Sequence, residues 1–308
     1  MKFPKFVDFT LKFKDEIWRD FAETVCRTHK INFSVLIRAE QGESIVFLID
    51  GNFIVKIYIP TKYQIEREKT ALENAKTSLN IPKIVTFGEL DGYKYLITTQ
   101  IKGELMMRDR WLKLDQRKQI SILEQLANGL CDLHQSNVSN ISFDWKKFIE
   151  RQAETCFERQ KKCRVNEKVL AEIPIYLEEN LELLTLNFRE VFLHGDIHFG
   201  NLRLSKSNGK WFVSGLFDFA DSRVGFHEYE FLAVGVLMIQ GQRSIQREFF
   251  KSYGYAENEL DETMRRRLMM LTMLYETADL RRYAMRLKPE AVDFSLEALE
   301  KGIWSFAK

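Results

Sequence analysis

The sequence predicts an α+β chain in two lobes, a small antiparallel-sheet lobe followed by a larger, mostly helical lobe. Three observations predict it. Short β-rich runs occupy residues 33–59 and 84–101, and Asp50-Gly51-Asn52 and Asp91-Gly92 interrupt them as hairpin signals. From Gly103 onward apolar residues recur at helical spacing. One late stretch, Phe192 to Phe219, returns to short strands separated by polar loops. The boundary falls near Ile101 to Gly103, which divides the chain into residues 1–102 and 103–308 with a cleft between them.

Taken in order, Asp15 to His29 reads as a helix, because Ile17, Trp18, Phe21 and Val25 form one apolar stripe. Phe33–Ile37, Ser44–Ile49 and Phe53–Ile59 follow as three successive antiparallel strands. Pro60-Thr61 opens a helix expected to run to about Ser78, and Ile81-Pro82 ends that unit. Ile84–Glu89 and Tyr93–Ile101 form a further hairpin. Asp115 is a plausible N-cap for a helix carrying Ile120, Leu123, Leu126, Leu130 and Leu133. Trp145–Lys162 and Glu167–Leu186 have helical patterns, as does everything beyond Glu228. No repeat or low-complexity segment interrupts this order.

Composition narrows the function classes. The chain has 308 residues, 45% hydrophobic, enough for a sizeable core. Its 46 basic and 44 acidic residues leave a net charge of +2, so no global electrostatic case for nucleic acid exists. The basic clusters Arg265-Arg266-Arg267 and Lys161-Lys162-Cys163-Arg164 sit among acids and read as solvated helix faces. The N-terminal MKFPKFVDFTLKFKDE lacks a signal-peptide apolar core, and no run approaches eighteen apolar residues. A cytoplasmic protein without a membrane span is expected. Cys26, Cys131, Cys156 and Cys163 show no C-x-x-C spacing and read as reduced thiols. Nothing in the sequence indicates an oligomeric state.

The chemistry is concentrated in two loops. Phe192-Leu-His194-Gly195-Asp196-Ile-His198-Phe-Gly-Asn201 follows an apolar strand, and Asp218-Phe-Ala-Asp221 follows a second, after a turn at Ser207-Asn208-Gly209. Short oxygen-bearing side chains from two adjacent loops can converge on one point. A Mg²⁺ ion held by one or two protein oxygens plus substrate phosphates needs that arrangement.

H-x-D-x-x-x-x-N followed by a strand ending in D-F resembles the catalytic and metal loops of protein-kinase-like enzymes. The form H-G-D-x-H-x-x-N with F-D-F is similar to the aminoglycoside phosphotransferase family, nearest by eye to the hygromycin phosphotransferases. Asp144-Trp145-Lys-Lys-Phe148-Ile149 and Gly225-x-x-x-Tyr229-Glu230 carry the same likeness. The resemblance implies a protein-kinase-like fold and phosphoryl transfer from ATP to a small-molecule hydroxyl acceptor. It implies that Asp196 is the base, that Asn201 and Asp218 hold Mg²⁺, and that His194 and His198 brace the loop. Asp221 would line the acceptor pocket or cap a turn, and Glu230 would support the catalytic loop through hydrogen bonds.

Upstream pieces fall in the family's order. Gly42, Glu43 and Ser44 stand where a phosphate-covering loop is expected, although G-K-[ST] is missing and the alternative is an ordinary hairpin turn. By alternation alone Lys56 faces either solvent or cleft; the resemblance makes it the phosphate-binding lysine, paired with Glu68 on the next helix. Thr99 and Ile101, in Thr98-Thr99-Gln100-Ile101-Lys102-Gly103, would offer backbone groups to the adenine edge, a recognition that does not separate ATP from GTP. Acceptors implied are aminoglycosides or aminocyclitols, or else metabolites such as choline and amino sugars. Trp145, Phe148, Phe157 and Tyr176 could stack on a sugar or serve as helix core. The acids Glu228, Glu257, Glu259, Asp261, Glu262, Glu276 and Asp279 could draw a cation or form solvated helix faces.

Overall fold

The computed structural model describes residues 15–39, 44–58, 64–184, 188–289 and 293–306. Helix α1 (Asp15–Thr28) precedes the strands β1 (Leu36–Arg38), β2 (Ile45–Ile49) and β3 (Phe53–Ile57). Helix α2 (Gln64–Asn74) and the hairpin β4 (Ile84–Leu90) and β5 (Tyr93–Thr99) follow. The strands form one antiparallel sheet in the order β1-β2-β3-β5-β4. Its hairpins turn where the sequence marks them, with positive φ at Asp50 and Gly51 and at Asp91 and Gly92. Paired left-handed residues match the twist of the flanking strands.

Alternation assigns each face of β3 a task. Val55 and Ile57 point into a core with Trp18, Phe21 and Val25 of α1 and with Phe47, Ile49, Tyr95 and Ile97. The apolar stripe of α1 therefore has its partner. Lys56 lies between Val55 and Ile57 and so points to the opposite face, where Tyr58, Ile65 and Leu96 form a second small cluster under α2.

Helix α2 ends at Asn74 rather than near Ser78. Residues beyond it find partners elsewhere: Lys76 N donates to Ser136 Oγ (2.8 Å), Thr77 Oγ1 to Gly129 O (2.7 Å) and Ser78 N to Asp132. Leu216 N donates to Asn80 O (2.9 Å). Tertiary acceptors take the groups that another helical turn would have used.

After β6 (Glu104–Leu105) come α3 (Arg108–Trp111), α4 (Gln116–Leu133), α5 (Trp145–Lys162) and α6 (Glu167–Asn180). Next are β7 (Val191–Leu193), β8 (Leu202–Ser207), β9 (Lys210–Leu216) and β10 (Arg223–Gly225). The chain closes with α7 (Phe231–Ala233), α8 (Arg243–Tyr253), α9 (Glu262–Leu274), α10 (Leu280–Leu287) and α11 (Leu296–Ile303). Strand β7 pairs with β10, and β8 joins β6 to β9. Side chains of Asp115, Asp144, Asn166, Asp261, Asp279 and Ser295 cap α4, α5, α6, α9, α10 and α11. Each cap contributes about 1 kcal/mol. One large core runs through this half, from Leu126 and Leu130 to Phe250 and Trp304. Among the described residues no helix is long and apolar enough to cross a membrane. All four cysteines are free thiols, Cys26 and Cys156 buried and Cys131 and Cys163 half-buried.

Gly225 ends β10 against the face of Trp145, so close that a Cβ would overlap the indole. Trp145 is itself buried and packed edge-on to Tyr229. Gly225→Ala is therefore expected to cost about 1–3 kcal/mol through overpacking. Urea unfolding measures it, and unchanged stability would contradict this packing.

Candidate active site

The loop after β7 is fixed from several directions. Leu193 pairs with Arg223 across β7 and β10. Gly195 has φ +86 and packs against the backbone carbonyl of Asp221, leaving no space for a Cβ. The Glu230 carboxylate accepts from His194 N (2.6 Å) and Gly195 N (2.9 Å). The His194 ring accepts from Asp196 N at Nδ1 (3.3 Å), so its Nε2–H donates to Phe217 O (3.0 Å). His194 thereby ties the Asp196 loop to the strand end that carries Asp218.

Two side chains orient Asp196. His198 Nδ1 accepts from Gly200 N (2.9 Å), so its Nε2–H donates to Asp196 Oδ2 (3.1 Å). Asn201 Nδ2 donates to the same Oδ2 (2.9 Å) and to Asp196 O (2.8 Å). Burial pushes the Asp196 carboxyl up, but the His198 and Asn201 hydrogen bonds and both imidazoles outweigh it and hold the group below its ordinary value.

Asn201 and Asp218 are neighbours through the β8–β9 hairpin. Leu202 pairs with Leu216, and Phe217 N donates to Asn201 O (3.0 Å). Asp218 adopts φ +67, a left-handed conformation that Asp tolerates better than most side chains. Its Oδ1 lies 2.7 Å from Lys56 Nζ, which is also 2.7 Å from Glu68 Oε2. Tyr58 donates to that Glu68 oxygen at 2.6 Å. Lys56 thus joins the sheet, α2 and the second loop. Burial disfavours its charge, yet Glu68 and Asp218 raise its pKa above the ordinary lysine value. Asp218 is held low, Lys56 offsetting burial.

Among the described residues no group of three or more His, Cys, Asp or Glu is arranged to hold a metal. Asn201 and Asp218 offer two hard oxygen donors, a set that suits Mg²⁺ only when phosphates and water complete the shell. Asp221 is half-exposed, its Oδ1 4.0 Å from Arg67. Burial, with Asp196 and Asp218 nearby, raises its pKa. Ser44 precedes β2 and is half-buried; Gly42 and Glu43 lie outside the described residues. Thr99 N donates to Lys83 O and Gln100 N to Asn52 O, while Ile101 N has no backbone acceptor among the described residues.

Sequence reasoning missed a buried polar cluster behind the loop. Glu228, one of the acids considered for a cationic acceptor, is 1% exposed and bound to Arg267 Nε (2.6 Å) and Nη2. Arg265 is likewise buried and paired with Glu300 (2.7 Å), so of the Arg265-Arg266-Arg267 cluster only Arg266 lies on a solvated face. Tyr255 donates to Glu228 (2.9 Å), which obliges His227 Nε2–H to donate to Tyr255 (2.7 Å). His134 and Tyr253 complete the cluster. His134 lies four residues after Leu130, on the apolar stripe of α4, and that placement was the available signal. Arg223 was missed too: it lies 4.9 Å from the Phe148 ring and 3.3 Å from Glu276. Phe148 therefore supports this guanidinium, and Tyr176 donates to Glu300 (2.7 Å).

Burial, then His134 and Arg267, hold the His227 pKa at about 3, against an ordinary 6.5. Tyr253, Tyr255, Phe226 and Phe231 pack around the ring. A depressed folded pKa means that the unfolded chain takes up the proton first. The stability is whole above 6.5 and declines as pH falls toward 3. His227→Phe should flatten that decline in thermal unfolding across the window; parallel curves would contradict it.

A lysine bridging two acids above a loop pair of this kind defines the class of kinase-like phosphotransferases. The sequence model of the phosphotransferase enzyme family matches residues 35–268, more than half of the chain. The chain belongs to this family. No curated protein matches its sequence. Among solved structures it resembles the GDP complex of aminoglycoside 2'-phosphotransferase-IIIa, with TM-score 0.68 and 15% identity over 93% of this chain and 98% of that one. It also resembles the streptomycin–ATP complex of APH(2")-IIa, with TM-score 0.60 and 19% identity over 91% and 97% of the two chains. A thermostable mutant of APH(4)-Ia bound to AMP-PNP and hygromycin B gives TM-score 0.61 and 15% identity over 92% and 98%. At such identities the likeness establishes the fold.

Proposed function

We propose that this chain moves the γ-phosphate of ATP to a hydroxyl of a small molecule that carries basic nitrogen, with aminoglycoside or aminocyclitol antibiotics as the acceptor class. The observation that carries the reading is the Lys56 bridge, with 2.7 Å to both Glu68 and Asp218, set beside the Asp196–Asn201 loop. Residues 1–102 form the nucleotide-binding lobe and residues 103–308 the catalytic and acceptor-binding lobe.

In this reading Lys56, held by Glu68, binds phosphate oxygens. Ser44, with Gly42 and Glu43, covers them. The Thr99 carbonyl and the Ile101 N–H receive the adenine edge, or a guanine edge in its place. Asn201 and Asp218 would hold Mg²⁺, which would supply positive charge against the phosphates. Asp196 keeps Oδ2 on His198 and Asn201 and offers Oδ1 to the acceptor hydroxyl, taking its proton as phosphoryl transfer proceeds. His194 and Glu230 keep that carboxylate aimed.

Asp196, Asp221 and Glu276 keep side chains 33%, 48% and 56% exposed, Asp221 4.0 Å from Arg67 and Glu276 3.3 Å from Arg223. Partly solvated carboxylates favour an ammonium-bearing acceptor. The other tail acids take part less: Glu257 pairs with Lys251, while Asp261 and Asp279 cap helices. A second reading, a metabolite kinase for choline or an amino sugar, is favoured by the net charge of +2, which suits a small monocation better than a polycation. Either reaction draws on cytoplasmic ATP. A screen of Mg²⁺-dependent ATP consumption across aminoglycosides, hygromycin-type aminocyclitols, choline and amino sugars tests the proposal. Absence of turnover with all of them, together with no thermal shift from Mg-ATP, would refute it.

A further inference from the structure

The anchor of the catalytic loop is itself anchored. Glu230 Oε2 lies 3.7 Å from Nε2 of His134, the C-cap of α4, and both side chains are 1% exposed. Nδ1 of His134 is 2.7 Å from the hydroxyl of Tyr253, the last residue of α8. With the Tyr253 proton directed to Nδ1, the neutral imidazole carries its proton on Nε2, facing Glu230. That nitrogen is buried and has no partner at ordinary hydrogen-bond length. A buried donor left short of its acceptor is costly, so a small closure toward the carboxylate is favoured.

The cluster around the pair is rigid enough to transmit a direction. Tyr253 stacks on His227 with an interplanar angle of 4° and a centroid separation of 5.7 Å. His227 is held by Tyr255, Tyr255 by Glu228, and Glu228 by Arg267. On the other side Glu230 grips the His194 and Gly195 amides, one residue from Asp196. Each carboxylate oxygen takes one amide, and His134 approaches Oε2, the oxygen that accepts from His194 N.

We propose that His134 is a positioning residue for the transfer reaction: directed by Tyr253, its Nε2–H fixes Glu230 and, through the His194 and Gly195 amides, the aim of Asp196. The proposal rests on Asp196 being the base. Partners of this kind behind a reacting group are worth about 10- to 100-fold in activity.

The test uses the full chain and five variants. His134→Leu keeps the volume and loses the donor, and is expected to lower kcat by about 10- to 100-fold with KM for ATP unchanged. His134→Gln, whose amide can still donate, recovers most of the loss. In a Glu230→Gln background His134→Leu should add little, because the carboxylate through which His134 acts is already gone. Amide hydrogen exchange at His194 and Gly195, followed without nucleotide or acceptor, should accelerate in His134→Leu and not in His134→Gln. Equal impairment by Leu and Gln, losses that multiply in the double variant, or unchanged exchange would each overturn the proposal. Tyr253→Phe removes a single oxygen and supplies the same readouts if His134→Leu does not fold. A wild-type chain inactive toward every acceptor would overturn the functional reading, while the exchange measurement would still decide the positioning.

Discussion

Asp196→Asn should lower kcat by about 10²–10⁴-fold, the range a positioned general base contributes. The substitution suits the surroundings: an amide oxygen at Oδ2 would still accept from His198 and Asn201, so the loop geometry should persist. What disappears is the negative charge that receives the acceptor proton. Glu230, His194 and Gly195 bond to backbone or to one another and are untouched. KM for ATP should therefore change little, and unfolding by heat should be close to wild type. Single-turnover kinetics with an accepted substrate would check it. Turnover near the wild-type rate would remove Asp196 from the chemistry.

Asp218→Asn should be nearly as severe, on the order of 10²–10³-fold in kcat, the scale of losing one electrostatic contact to the reacting group. Asn also tolerates the left-handed backbone at this position, where φ is +67. The effect is then chemical rather than conformational. Two consequences separate it from the first variant. The Mg²⁺ concentration needed for half-maximal rate should rise, because one anionic ligand is lost. Lys56 should also keep Glu68 and exchange its second ion pair for a neutral amide acceptor. A Mg²⁺ titration at saturating ATP measures the shift; an unmoved midpoint would show that Asp218 does not hold the metal.

Much of this was legible because it is local. Asp50-Gly51 and Asp91-Gly92 dictate their turns through backbone preference, and the stripe of α1 announces a face that must be covered. Asp196 and Asn201 stand five residues apart in one loop, so their meeting is a short-range event. The end of α2 was misplaced because its competitor is tertiary: Ser136 and Asp132 take backbone N–H groups that local propensity would assign to another turn. His134 escaped notice for the same reason. Its partners, Glu230 and Tyr253, are 96 and 119 residues away, and its place on the apolar stripe of α4 marks it as buried without saying what it faces. Glu228 and Arg267 read as surface charges until the fold buries them against each other.

The fastening of residues 76–80 to α4 and β9 separates mechanical allegiance from chain order. Ala71 of α2 belongs to the large core of the helical half. Helix α2, although encoded among the strands, is shared by the two bodies, since Ile65 packs with Tyr58 and Leu96 beside the sheet. Lys56 therefore has one partner on the shared helix, Glu68, and one in the helical half, Asp218. The lysine is thus a rivet through both bodies, and the gap between residues 56 and 218 is the ruler that would report their parting.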